Sequence, residues 1–163
     1  MGGDDSREGV TLSILDRLTD LEPDSKVEAR TSSSEEMRSF KAALCRDLAS
    51  ILNTRRSEDD IDPSYEQSSN SLLTFGVADF TSYNLKSSIE QERVRRSIER
   101  AIRQFEPRLA RVTVTLDEPD PARPVLHFQI EAFLRAGPAA EAVLLDATLH
   151  RDSRRISVSG ANL

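Results

Sequence analysis

Residues able to do chemistry are few in this sequence and widely spaced. His127 and His150 fall in two segments of alternating polarity, on the polar positions that also carry Glu131 and Asp146. Brought together across a hairpin, imidazoles and carboxylates of this kind would suit zinc. The pair lacks the close spacing of a metal motif, so solvent-facing polar residues are the simpler reading and no metal is expected. Asp59, Asp60 and Asp62 stand close together. A calcium loop needs acidic ligands at alternate positions and a central Gly, whereas Asp62-Pro63 reads as a turn in a solvated loop. Cys45 is the one cysteine. A reactive thiolate needs an electropositive, partly exposed setting. Cys45 instead lies beside an apolar stripe, where a free thiol is inert packing. The chain carries no G-x-S-x-G elbow, and its six glycines form no phosphate-binding loop. No catalytic residue and no cofactor are expected.

Glu106 is the most unusual acid. It closes a helical pattern just before Pro107, where the negative end of the helix dipole disfavours a carboxylate. That position calls for a compensating partner: Arg108, backbone amides or an arginine of another subunit. A glycosidase would set such a group against a second carboxylate across a bound sugar, and no second carboxylate stands in a recognisable motif. A structural ion pair at an element junction is the simpler expectation.

The elements that position these groups follow from periodicity. Ile14, Leu15, Leu18 and Leu21 have helical spacing and predict a short amphipathic helix, ended by the approach to Pro23. Residues 22–34 are polar and read as a linker. Met37, Phe40, Leu44, Leu48, Ile51 and Leu52 make one apolar stripe with steps of three and four. Ser33 and Glu36 fit a capping box ahead of it. A polar loop over 57–71 follows, and then the apolar segment Ser71–Phe80, in which Gly76 is expected to serve a conformation or close approach that a Cβ would forbid. A second long helix is predicted over 86–105. Ser87 and Glu90 would cap it, and Ile89, Val94, Ile98, Ala101, Ile102 and Phe105 would be its buried face. Its Glu92/Arg96 and Glu99/Arg103 pairs have the favourable i,i+4 order.

After Pro107 the period changes to two. Val112, Val114 and Leu116 predict one strand, and Leu126, Phe128, Ile130, Ala132 and Leu134 a second. Leu145, Ala147 and Leu149 predict a third, and Ile156 with Val158 a fourth, reached through Arg151–Ser153. The expected fold class is therefore α+β, with N-terminal helices packed on one face of a four-stranded, mainly antiparallel C-terminal sheet. The expected domain division is 1–34, a flexible N-terminus with a short helix and linker, and 35–163, one α+β domain.

Composition bounds the function. The chain has 163 residues, 37% hydrophobic and 31% charged, with a net charge of −6 and no Trp. An acidic chain argues against nucleic acid, which asks for a basic surface. No apolar run approaches the roughly 20 residues that span a bilayer, so no direct membrane insertion is expected. The start, Met-Gly-Gly-Asp-Asp-Ser, has neither the basic nor the apolar region of a secretory signal.

Three segments together carry a family resemblance: Arg46–Arg56, Ser71–Asp79, and Phe105-Glu-Pro-Arg-Leu109 ahead of a Val-x-Val strand. In this order they resemble the short baseplate wedge proteins of contractile phage tails and, among type VI secretion proteins, the TssE family. The likeness covers roughly residues 10–160, and Glu106-Pro107-Arg108 is its most specific part. The family often has Pro where this chain has Ala78, with Gly76 and Asp79 in place. The resemblance implies that Glu106, Pro107 and Arg108 form the signature motif for baseplate assembly, and that Gly76 and Asp79 belong to a structural motif. It implies a structural subunit, not an enzyme, that joins two larger wedge subunits (TssF and TssG type). It also implies a place where the contractile sheath (TssB and TssC type) begins to polymerise, in the cytoplasm at a baseplate docked on the inner membrane. The family's historical lysozyme label keeps a peptidoglycan-cleaving enzyme open as an alternative. A small cytosolic α+β adaptor unrelated to secretion is another.

Overall fold

The computed structural model describes residues 18, 33–56, 61–62, 64–80, 83–84, 87–117, 125–135, 141–150, 153 and 155–160, the side chains of Ser33, Ser34 and Glu36 excepted. The expected helix over 10–21, the linker and the Ser33/Glu36 capping box lie outside the described residues or side chains, apart from Leu18 and the start of the first helix.

Helix α1 spans Ser33–Asn53. The expected stripe buries itself: Phe40, Leu44, Leu48, Ile51 and Leu52 are each 4% exposed or less, with Met37 partly covered. A one-turn helix, α2, spans Glu66–Ser69, and a 3-10 turn spans Leu72–Thr74. Helix α3 spans Ser88–Phe105 and buries Val94, Ile98, Ala101 and Ile102. Two expectations for α3 are corrected. Ile89 is 68% exposed, because it sits in the first turn and burial of this face begins only at Val94. Ser87 occupies the N-cap position, yet its side chain makes no capping bond. The Glu90 carboxylate reaches back past it and accepts the Asn84 backbone N–H at 3.0 Å.

Strands β1 (Leu109–Leu116), β2 (Val125–Leu134), β3 (Glu141–His150) and β4 (Arg155–Gly160) form an antiparallel meander in the order β1-β2-β3-β4. The α+β arrangement read from the sequence is the observed one. Alternate residues of each strand face the helices: α3 lies over β1 and α1 over β4. Each large aliphatic side chain removed from water there contributes about 1.5–3 kcal/mol.

Strict alternation fails at one place. Leu109 and Val112 are three residues apart, an odd spacing that should send them to opposite faces, yet they are 3% and 0% exposed. The pairing slips by one residue between Ala110 and Thr113. Such a bulge inserts an extra residue and restores the phase. Arg111 takes the strained position, at φ 51°, where a side chain costs about 1–2 kcal/mol. Its guanidinium lies 5.8 Å from the centre of the Phe133 ring on the outer face of the sheet, which offsets part of that cost.

The free edge of β4 is held from α1. The Asn53 side chain donates to the Ile156 carbonyl at 2.8 Å and accepts the Ile156 N–H at 2.8 Å. It thus occupies both outward backbone groups of that residue, as a neighbouring strand would. Asn53→Ala leaves two backbone groups of a buried residue without partners. The expected loss is about 1–3 kcal/mol of stability, read from urea denaturation, with faster amide exchange at Ile156. An unchanged denaturation midpoint and unchanged exchange would contradict this role.

Candidate functional site

The chain leaves α3 at a proline, and the geometry follows from it. The residue before a proline is pushed out of the helical region, and Glu106 has φ −120° and ψ 81°. Its N–H still closes the last helical bond to the Ile102 carbonyl at 2.9 Å, and its own carbonyl accepts from Leu109 N–H at 3.1 Å. This tight turn folds Glu106 inward. The residue is 2% exposed, while Pro107 stays on the surface.

A buried carboxylate at the negative end of a helix requires a cation. Arg108 provides it from two residues away. Its Nε donates to Glu106 Oε1 at 2.7 Å and its Nη2 to Glu106 Oε2 at 2.5 Å, with the Arg108 backbone N–H adding a contact to Oε1 at 3.2 Å. The same Nη2 reaches Asp47 Oδ2 on α1 at 2.7 Å. The guanidinium also lies over the Phe40 ring, 5.5 Å from its centre. The hydrogen bond to Glu106, above all, pushes the Arg108 guanidinium up from its ordinary range. The planar fork of arginine suits this two-carboxylate arrangement and the point charge of lysine does not. Arg108 therefore bolts the end of α3 and the start of β1 onto α1. On the other side its carbonyl accepts from Arg135 N–H, beyond β2, at 2.8 Å.

The part played by Asp47, and the contact of Phe40 with Arg108, escaped the sequence reading, which placed Phe40 only in the apolar stripe. A signal for Asp47 exists. Phe40, Leu44, Asp47 and Ile51 advance by four, three and four, so an acid interrupts the apolar stripe where a hydrophobic residue would fit. Such an acid needs a buried cation.

Gly76 and Asp79 sit against the C-terminal end of α1. Val77 N–H donates to the Thr54 carbonyl at 2.9 Å, and Arg56 N–H to the Val77 carbonyl at 2.9 Å. Gly76, at φ 97°, is pressed so close that a Cβ would lie 2.3 Å from the Thr54 carbonyl oxygen. Here the glycine is required both by conformation and by contact. Asp79 meets Arg55 at 3.7 Å, and Arg55 stacks on Phe80 at 5.1 Å. The two motifs meet through aromatics, since Phe75 packs edge-to-face on Phe105 with ring centres 5.0 Å apart.

The other candidates remain separate. His127 faces Thr148, with Nδ1 3.0 Å from its hydroxyl, and His150 lies near Ser157 at 3.4 Å. The register sets His150 opposite Val125, not His127. Among the described residues no three His, Cys, Asp or Glu side chains group as metal ligands. Cys45 is partly buried, and desolvation pushes its thiol up, which disfavours the thiolate. Of the three clustered aspartates only Asp62 is described. It accepts the Ser64 N–H at 2.9 Å, a turn contact.

Arg108→Ala strands the Glu106 carboxylate in the core and should cost about 3–5 kcal/mol. Glu106→Ala should destabilise too, by less, because Asp47 still holds the guanidinium. Thermal and urea melts of the isolated protein test both, and parental melting of Arg108→Ala would refute the clamp. Gly76→Ala forces a Cβ against the Thr54 carbonyl and should cost at least about 2–3 kcal/mol. A denaturation midpoint within error of the parent would show that this contact yields easily.

No curated protein matches the sequence. One solved chain, from a structure described as the baseplate complex from the type VI secretion system, is similar in shape with a TM-score of 0.45 at 19% identity. The match covers 69% of this chain and 95% of that chain. The sequence profile of baseplate wedge protein gp25 matches residues 38–139, from the buried half of α1 past the end of β2. That match takes in Asp47, Gly76, Asp79 and the whole Glu106-Pro107-Arg108 junction, and it spans more than half of the sequence: the chain belongs to the baseplate wedge protein gp25 family.

Proposed function

We propose that this chain is a non-enzymatic structural subunit of a type VI secretion baseplate, joining the two larger wedge subunits and helping the contractile sheath begin to polymerise. The observation that carries the reading is family membership over residues 38–139. The type VI assignment within it rests on the three resembling segments. The residues that make the family motif are spent on architecture: Glu106 is 2% exposed and both its oxygens are engaged by Arg108. A carboxylate so enclosed has no route to a glycosidic oxygen, which a hydrolase acid must reach.

In this reading the Glu106-Pro107-Arg108 junction serves assembly by fixing the shape that partners dock on. Gly76 and Asp79 do the same at the C-terminal end of α1. The partners are subunits of TssF and TssG type and sheath subunits of TssB and TssC type, at the cytoplasmic face of the inner membrane.

Sheath initiation has a physical route in strand addition at β4, one of the two edges of the described sheet. Asn53 already occupies the outward groups of Ile156, so a partner strand has its first available outward groups at Val158. Among the described residues nothing meets them. Truncating the last strand would be a poor test, because it removes Ile156 from the core. Val158→Pro deletes one outward donor and spares the β3 pairing.

Co-expression with the two larger wedge subunits tests the main reading. Stable co-elution of all three is expected, and no co-elution at low salt would overturn it. Val158→Pro should keep that co-elution and nucleate less sheath. Unchanged sheath nucleation would rule out strand addition at β4.

A further inference from the structure

Two features that the packing leaves unexplained share one surface. The first is apolar. Leu72 is 82% exposed and Leu73 51%, with Tyr65, also exposed, just upstream. Isolated exposed leucines are ordinary. This pair differs in how firmly its turn is held. The Ser71 hydroxyl accepts the Leu73 N–H at 3.3 Å and donates to the Ser68 carbonyl at 2.7 Å. The Thr74 hydroxyl is shared between the Ser69 and Ser71 carbonyls at 2.9 Å each. Gln104 of α3 donates to the Ser69 carbonyl at 2.8 Å and to the Thr74 hydroxyl at 3.0 Å. Phe75 is locked on Phe105 behind them. Two leucines are thus presented outward on a backbone already ordered, so binding them costs little further entropy.

The second feature is charge. Beside this turn lies an open cleft of about 480 Å³ lined by Asn70, Arg96, Glu99, Arg100, Arg103 and Gln104. Asn70 caps α2, and Gln104 is the residue that anchors the leucine turn, so the cleft and the turn are contiguous. Glu99, the one acid in the cleft, is already gripped by Arg95 and Arg103. Arg96 and Arg103 have side chains 69% and 58% exposed. Arg100 is exposed and forms no ion pair among the described residues. This is a positive cleft on a chain whose net charge is −6.

We infer that the Leu72–Leu73 turn and the Arg96/Arg100/Arg103 cleft form one docking surface for an acidic, leucine-accepting segment of a larger wedge subunit. The inference rests on the baseplate reading and names the chemistry of the partner. Rigid apolar anchors supply affinity, and an exposed cationic rim, in which Arg96 is held by Glu92 and Arg103 by Glu99 while Arg100 has no ion pair among the described residues, supplies register and encounter rate. A second copy of this chain fits poorly, because a two-fold contact would set the arginines of one copy against those of the other.

The test is co-purification of the full chain with the two co-expressed larger wedge subunits. Two variants are compared with the parent: Leu72→Ser with Leu73→Ser, and Arg96→Glu with Arg100→Glu. All four side chains are exposed, so both variants should melt close to the parent. Each should weaken co-elution about tenfold or more, which corresponds to about 1.4 kcal/mol. Retention of the parent should fall as salt rises, as expected for a charged rim. If the parent co-elutes and both folded variants match it, this surface is wrong and the baseplate reading stands. If the parent does not co-elute, both fall. Intact wedge co-elution with loss of sheath nucleation in the variants, or binding of the parent to phosphatidylserine vesicles that the variants lose, would assign the surface to a different partner and overturn the inference.

Discussion

A carboxylate buried at the negative end of a helix is an unfavourable thing to build around, and Glu106 is one. Its desolvation and the helix dipole both oppose the charged form. Arg108 reverses the balance by giving both carboxylate oxygens a donor and by reaching Asp47 with the same nitrogen. The consequence extends beyond one ion pair. Asp47 belongs to α1, Glu106 to the end of α3 and Arg108 to the start of β1, so a single planar group ties α1 to the junction of two elements far from it in sequence. The hydrophobic contact between helices and sheet is non-directional. The clamp adds direction, because bidentate pairing tolerates little rotation.

The rest of the architecture is consistent with an anchor at that point. From Arg108 the chain passes through Leu109, which must face the core, and within three residues the strand bulges at Arg111 to bring Val112 to the same face. A strand started at a fixed place by Arg108 cannot shift its register to avoid this; it absorbs the mismatch locally. The C-terminal end of α1 is secured by different means, the close approach of Gly76 to Thr54 and the amide of Asn53 on β4. Helix α1 is thus tied polar group by polar group to the clamp, to the Gly76 segment and to the last strand, while its apolar face fills the core.

The sequence made the large features legible because they are periodic. The stripe from Phe40 to Leu52 and the alternation from Leu126 to Leu134 each repeat often enough to fix element type and buried face. The order of elements then implied helices on one face of a meander. The junction was legible in part: Glu106 stood out as misplaced, and Arg108 was near enough in sequence to be named as its partner. What escaped depends on tertiary register. Nothing local says that Asp47 will meet Arg108 across 61 positions, or that Asn53 will pair with a residue 103 positions away. The bulge escaped because Arg111 is an unusual residue for a left-handed conformation, where glycine is the common signal. Ile89 was misassigned because periodicity continues into a helical turn that the rest of the fold does not cover.

This division between periodic and specific contacts also bears on how the Glu106-Pro107-Arg108 junction should be understood. A buried charge network fixes shape, since its two carboxylates are both held by Arg108 through Nε and Nη2 inside the chain. Exposed groups behave oppositely: Arg96 and Arg100 do little for the fold because solvent screens them, and Leu72 and Leu73 leave apolar surface in water. Loss of assembly on changing Glu106 or Arg108 therefore does not by itself locate an interface. Those side chains govern whether α1, α3 and β1 hold one geometry. Because α3 carries the arginine cleft and, through Gln104 and Phe105, the leucine turn, the clamp at its end controls the orientation of that surface without touching anything that binds there.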